Sequence, residues 1–183
     1  VPAAIQTMVT RSVSVFDPAV VTIGRITAGT TNNIIPEKAE LEGTISTLSA
    51  HQRKAVAERL HTLFPAIAAA HGCTAELEII PGFPVTVCDD RAVQLGSRVV
   101  RDLFGEPAWR TMDSPIMGAE DFAYVLEKVP GAMFFLGASH EGDDWRHCCG
   151  LHSNHMVLDD SVMARGAAQD AAIAGRFLAE GFG

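Results

Sequence analysis

Five side chains able to bind a metal ion or exchange electrons fall within ten residues, RHCCGLHSNH (146–155): His147, Cys148, Cys149, His152 and His155. Imidazole and thiolate are the ligands zinc prefers, but a structural zinc site commonly draws two ligand pairs from either side of a loop. No second C-x-x-C or H-x-x-H pair lies elsewhere in the chain, and four ligands from so short a stretch would strain a tetrahedral site. A disulfide between the neighbours Cys148 and Cys149 would close a strained ring, and a redox pair is normally spaced C-x-x-C at a helix start. Surface histidines in a polar loop are the plain alternative. Position favours His152, which follows an apolar run and a polar loop, where open α/β sheets gather ligands beyond the carboxyl ends of their strands.

Two further stretches carry polar or backbone groups suited to a substrate. In PIMGAEDFAYVLEKVPG (115–131), Gly118 and Ala119 precede an expected helix, whose first N–H groups would suit a substrate carboxylate. Glu120 and Asp121 read equally as first-turn acids that complement the helix dipole. In GTTNNIIPE (29–37), the amides of Asn32 and Asn33 can bind a polar group or simply build turns.

The elements that must position these groups follow from periodicity. Ile5, Met8 and Val9 recur at helical spacing from the first residues, so the chain reads as beginning inside an element, a hint of truncation. Strands are expected at 19–28, 38–48 and 74–82. Between the last two, Ser49 caps a helix ending at Gly72, with Val56, Leu60, Leu63, Ile67 and Ala70 as its apolar stripe and Pro65 expected to kink or divide it. The order α-β-β-α-β is the ferredoxin-like split motif without its leading strand, and such an open sheet edge is normally covered or paired.

A second module follows, with a helix from Asp90 to Phe104, a helix in 118–129, a strand buried on both faces at 132–138 and a long polar loop. Asp159 or Asp160 then caps a final helix to Glu180, with Val162, Ala167, Ala171, Ile173, Ala174 and Phe177 available for burial. The expected class is α/β (α+β), in two modules, 1–82 and 83–183.

Composition narrows the partners. Of 183 residues, 22 are acidic and 14 are Lys or Arg, for a net charge of −8 with no basic stripe. Nucleic acid and anionic membranes are therefore not expected partners. No apolar run approaches the roughly 20 residues that span a bilayer, and the first residues lack a secretory pattern. The four cysteines, Cys73, Cys88, Cys148 and Cys149, are too few and uneven for a disulfide framework, so a reducing, cytoplasmic setting is expected.

Three segments together, AGTTNNIIPEKAELEGTIST, MGAEDFAYVLEKVPGAMFFLGA and LHSNHMVLDD, resemble the C-terminal half of the metal-dependent N-acyl-amino-acid amidohydrolases. That family includes the hippurate-hydrolase and auxin-conjugate-hydrolase types, within the aminoacylase–carboxypeptidase group. The resemblance implies a ferredoxin-like lid and dimerisation domain, lacking its first strand here, followed by the last part of an aminopeptidase-like catalytic domain. It implies that His152 is the last ligand of a two-metal site, zinc with manganese or cobalt as alternatives. Asn33 would lie in the substrate-contacting lid loop, which often serves a partner subunit, and Gly118 and Ala119 would line the cleft. In such enzymes the metals polarise the amide carbonyl and activate water, with a glutamate as base, and the substrate is an N-acyl amino acid or dipeptide-like amide. The family's H-x-C-G-H-D motif, glutamate base and other metal-binding histidine would lie upstream of residue 1, so no catalytic residue is assigned in this chain, which alone would be inactive. Ser46 stands where relatives usually carry an arginine, a difference that bears on substrate preference. The other expectation, from a different class, is a dimerisation or assembly module without metal chemistry.

Overall fold

Pro2 opens the first helix, α1 (Pro2–Ser12), where its fixed φ suits a helix and its missing N–H would lack an intrahelical acceptor anyway. The computed structural model describes residues 1–140, 142 and 151–182. These form two units by their internal contacts, Val1–Thr86 with Ser114–Tyr124, and Val87–Asp113 with Val125–Gly183.

In the first unit α1 is followed by an antiparallel hairpin of β1 (Ala19–Ala28) and β2 (Ala39–Thr47), then by α2 (Ala50–Ala70). The Ser49 hydroxyl accepts from the Gln52 N–H at 2.9 Å, the expected cap of α2. Ile5 and Met8 from α1, Ala19 and Val21 from β1, and Val56 and Leu60 from α2 form the core. The hairpin register moves from Ile23 opposite Gly43 to Arg25 opposite Glu42, which leaves Gly24 as a bulge. That extra residue keeps Ile26 on the same face as Val21 and Ile23, although the apolar spacing changes there from two to three. Arg25 and Glu42 then pair across the opposite face at 2.6 Å.

The expected third strand is not formed. Ala75, Leu77 and Ile79 are half-buried and alternate with exposed neighbours, as in a strand, and Leu77 and Ile79 pack on the core. A strand, however, is defined by a partner for its backbone groups, and the sheet of the described residues has only β1 and β2. The element order of this unit is α1-β1-β2-α2. Pro65 does not divide α2, which runs unbroken to Ala70. The proline sits on the exposed side of the helix, where the lost backbone bond is solvated.

The second unit is built on α3 (Asp90–Phe104), whose Ala92, Leu95, Gly96, Val99 and Val100 form one buried stripe. The strongly apolar run 132–138 is not a strand buried on both faces. It carries no ladder, and Phe135 and Leu136 are exposed. Its anchors are individual: Asp89 N–H donates to Gly131 O at 2.8 Å, Met133 N–H to Cys88 Sγ at 3.4 Å, and Asp159 N–H to Ala138 O at 2.8 Å. Phe134 packs against Gly96 and meets Trp109 edge-on, ring centroids 5.7 Å apart.

The helix expected at 118–129 is only one turn, α4 (Phe122–Leu126). The last helix, α5 (Met163–Glu180), follows a 3-10 turn at Asp160–Val162 that Asp159 caps. Its half-buried residues are Gly166, Gln169, Ala172, Ile173 and Arg176, so the expected set is correct at Ile173, and at Val162 in the preceding turn, but displaced at Ala167, Ala171, Ala174 and Phe177. Arg176 lies on that inward side, and its guanidinium donates to Asp102 on α3 at 2.6 Å. No helix of the described residues is long and apolar enough to cross a membrane.

Candidate functional site

His152 lies in the turn-rich run Leu151–Met156 with φ at 71°, and it is the non-glycine residue in left-handed backbone among the described residues. Such a conformation costs an ordinary side chain roughly 1–2 kcal/mol, although histidine adopts it more readily than most. The next residue stabilises the bend: Ser153 Oγ accepts from His155 N–H at 3.1 Å, and Ser153 O from Met156 N–H at 3.2 Å. His152 itself is exposed. The bond from Asp159 N–H to Ala138 O joins the residues on either side of the segment 139–158, at its base. At that base Ser161 donates to the Asp159 carboxylate and holds its pKa below the usual range, with His140 nearby as a smaller contribution.

His147, Cys148 and Cys149 lie outside the described residues. Among the described residues no three His, Cys, Asp or Glu side chains converge on a common point. One imidazole is too few donors for a tetrahedral or dinuclear centre, so the described side chains do not by themselves fit a bound metal.

Asn33 sits in the exposed connection between β1 and β2. Thr31 Oγ1 donates to Asn33 Oδ1 at 3.0 Å, which engages the carbonyl end of the amide. Gly29 turns the chain into this loop at φ 69° with Pro36 packed beside it. At the loop's far end Lys38 pairs with Glu40 at 2.6 Å and lowers that carboxyl's pKa, chiefly by donating a hydrogen bond. Ser46 stands opposite Val20 on the hairpin.

Gly118 and Ala119 are not at a helix N-terminus. They belong to an exposed irregular run, and α4 begins only at Phe122. The carbonyls of Glu120 and Asp121, rather than any ligand, accept from Ala123 and Tyr124 N–H at 3.3 and 3.0 Å. A Cβ on Gly118 would make ordinary contact, 3.5 Å from Ile116 Cγ2, so local packing does not explain why glycine stands there.

The run Ser114–Tyr124 groups with Val1–Thr86, the unit that also holds Asn33, whereas His152 belongs to the second unit. Sequence patterning did not single out the residues that hold this run. The Tyr124 and Phe83 rings meet edge-to-face, 5.9 Å apart at 78°, and Tyr124 OH approaches Gly82 O at 3.5 Å. Arg53 on α2 donates to Phe83 O. In the sequence Phe83 is one aromatic inside the Pro81–Pro84 break and Tyr124 one in a short helical stretch, patterns too common to select them.

Residues 5–174 match the model of Peptidase family M20/M25/M40. The N-acetyldiaminopimelate deacetylase of Lactococcus lactis subsp. cremoris is 36% identical over 87% of this chain and 40% of its own length. The hippurate hydrolase of Campylobacter jejuni is 33% identical over 96% of this chain and 44% of its own. The chain thus spans about two fifths of the length of these curated relatives. The Bacillus subtilis YXEP protein, a dinuclear metal-binding peptidase of the M20 family, superposes with a TM-score of 0.72 at 28% identity, over 98% of this chain and 45% of that one. By this match along nearly its whole length, the chain belongs to peptidase family M20/M25/M40.

Proposed function

We propose that this chain forms part of a metal-dependent amidohydrolase that cleaves the amide bond of N-acyl amino acids, releasing a carboxylic acid and an amino acid. The family match supports the reaction class, and the names of the deacetylase and hippurate hydrolase relatives support the substrate class. The observation that carries the reading is His152, held exposed in left-handed backbone on a loop closed at its base. Non-glycine strain of this kind gathers at functional positions. In this reading His152 is one ligand of a two-metal centre, zinc first and manganese or cobalt as alternatives, whose remaining ligands and general base come from outside this chain. Asn33 donates its NH2 group to a substrate oxygen, and Gly118 and Ala119 line the cleft with backbone. Residues 1–82 form the lid and homodimer contact, residues 83–183 belong to the catalytic part, and the enzyme works in the cytoplasm.

The small donor set among the described residues favours a second reading for the chain by itself, a dimerisation or assembly module without activity. The test is metal content and hydrolysis of hippurate-like amides. The isolated chain is expected to bind less than one zinc and to be inactive, and the longer polypeptide that contains it to be active and to lose turnover with His152→Ala. Retained turnover in that variant would remove the proposal.

A further inference from the structure

We propose that Tyr124 is a positioning residue, which fastens the Gly118–Ala119 run to Gly82 and Phe83. The proposal rests on the reading that this run contacts substrate, and adds how it is held.

The run is irregular from residue 115 to 120 and exposed except at the half-buried Met117, so it has no secondary structure of its own to fix it. It nevertheless groups with Val1–Thr86, from which 27 intervening residues separate it in sequence. Tyr124 closes the run, and its side chain makes two contacts to that unit, the edge-on ring of Phe83 and the carbonyl of Gly82. Edge-to-face geometry directs the positive ring edge at a negative ring face, so it sets an orientation as well as a distance. Phe83 is in turn tied through its carbonyl to Arg53. Arg53 belongs to α2, whose Val56 and Leu60 are in the core. Support therefore passes from the core through Arg53 and Phe83 to Tyr124, six residues from Gly118. Both rings are about half-exposed, Phe83 at 43% and Tyr124 at 51%. Aromatics that only filled a core would be buried, as Ala123 beside them is.

The test uses backbone 15N order parameters of Gly118 and Ala119 in the 183-residue chain. They are expected in the ordered range in the parent and below about 0.6 in Tyr124→Ala, with the amides of α2 unchanged. Tyr124→Phe keeps the ring and should keep most of the order. Phe83→Leu should reproduce the loss, which covers the case in which Tyr124→Ala does not fold. Low order in the parent, or unchanged order in both Tyr124→Ala and Phe83→Leu, overturns the proposal whatever the enzyme does. In the longer active polypeptide, Tyr124→Ala is expected to raise KM about tenfold with kcat within twofold, and Tyr124→Phe to restore it. Lost order with an unmoved KM overturns the positioning role and the substrate role of Gly118–Ala119, but leaves the His152 reading intact.

Discussion

The N–H of Asp159 donates to the carbonyl of Ala138 at 2.8 Å, and this bond joins the residues that flank the polar segment carrying His152. Asp159 also caps the turn that leads into α5, accepting from Ser161 N–H at 2.9 Å. One residue thus closes the loop and starts the helix. The exposed histidine is held by backbone geometry rather than by burial, so its side chain is expected to matter little for stability.

That separation yields the first prediction. His152→Gly relieves left-handed strain and should stabilise the chain by about 1 kcal/mol relative to His152→Ala, read as a higher urea midpoint. In the active polypeptide both variants should lose more than the 10–100-fold that removal of an outer-shell partner of a metal costs. His155→Ala should be mild by comparison, since the contact of His155 to the turn is through its backbone N–H. A Gly variant no more stable than the Ala variant would show that the φ of 71° carries no strain.

Glycines on two helices should respond in opposite directions. At Gly175 on α5 a Cβ meets nothing within 4 Å, so Gly175→Ala should stabilise by roughly 0.5–1 kcal/mol through helix propensity. At Gly96 on α3 a Cβ would lie 2.9 Å or less from atoms of the Phe134 ring. Gly96→Ala should therefore destabilise by about 1–3 kcal/mol despite the same propensity gain. Adding Phe134→Leu should recover part of that loss, a coupling that paired thermal melts of the single and double variants would measure.

Much of the fold was legible because local rules decide it. Ser49 before an amphipathic run, the helix start at Asp90 and the alternation of β1 each act within a few residues. The two missing strands failed for one physical reason: Leu77 and Ile79 alternate correctly and residues 132–138 are apolar enough, yet a ladder needs a neighbour, which periodicity cannot supply. The inward side of α5 was illegible because it faces residues distant in sequence, such as Asp102, which Arg176 meets 74 residues away. Of the proposed site, His152, Asn33 and Gly118 are candidates brought forward by residue type, context and family resemblance. Tyr124 is brought forward only by its contacts with Phe83 and Gly82, which lie about 40 residues away in sequence.

Acid should loosen α3 in a way one substitution removes. Arg91 donates to the Asp89 carboxylate through its side chain and its backbone N–H, and lowers the pKa of Asp89 from 3.8 to about 2. The folded state therefore binds this proton less readily than the unfolded state. The stability it contributes is present in full above about pH 4, and is lost as pH falls towards 2. In Asp89→Asn, which keeps a capping oxygen but cannot titrate, the urea midpoint should fall less between pH 5 and pH 2 than in the parent. Equal slopes in the two proteins would mean that other carboxylates govern acid unfolding.

Gly118 offers a test in which stability and function separate. Its backbone is not in the left-handed region, and a Cβ would sit 3.5 Å from Ile116 in ordinary contact. Neither strain nor collision therefore opposes a side chain, and Gly118→Val should change the melting temperature by no more than an exposed loop substitution does, about 0.5 kcal/mol or less in free energy. If substrate lies against this backbone, the isopropyl group occupies space that the substrate needs. KM in the active polypeptide should then rise about tenfold, roughly 1.4 kcal/mol of binding, whereas Gly118→Ala should fall between parent and Val. Steady-state kinetics on N-acyl amino acids would measure the series. A KM that does not follow side-chain size would show that substrate does not approach this glycine, and would restrict the binding assignment to Asn33 and Ala119.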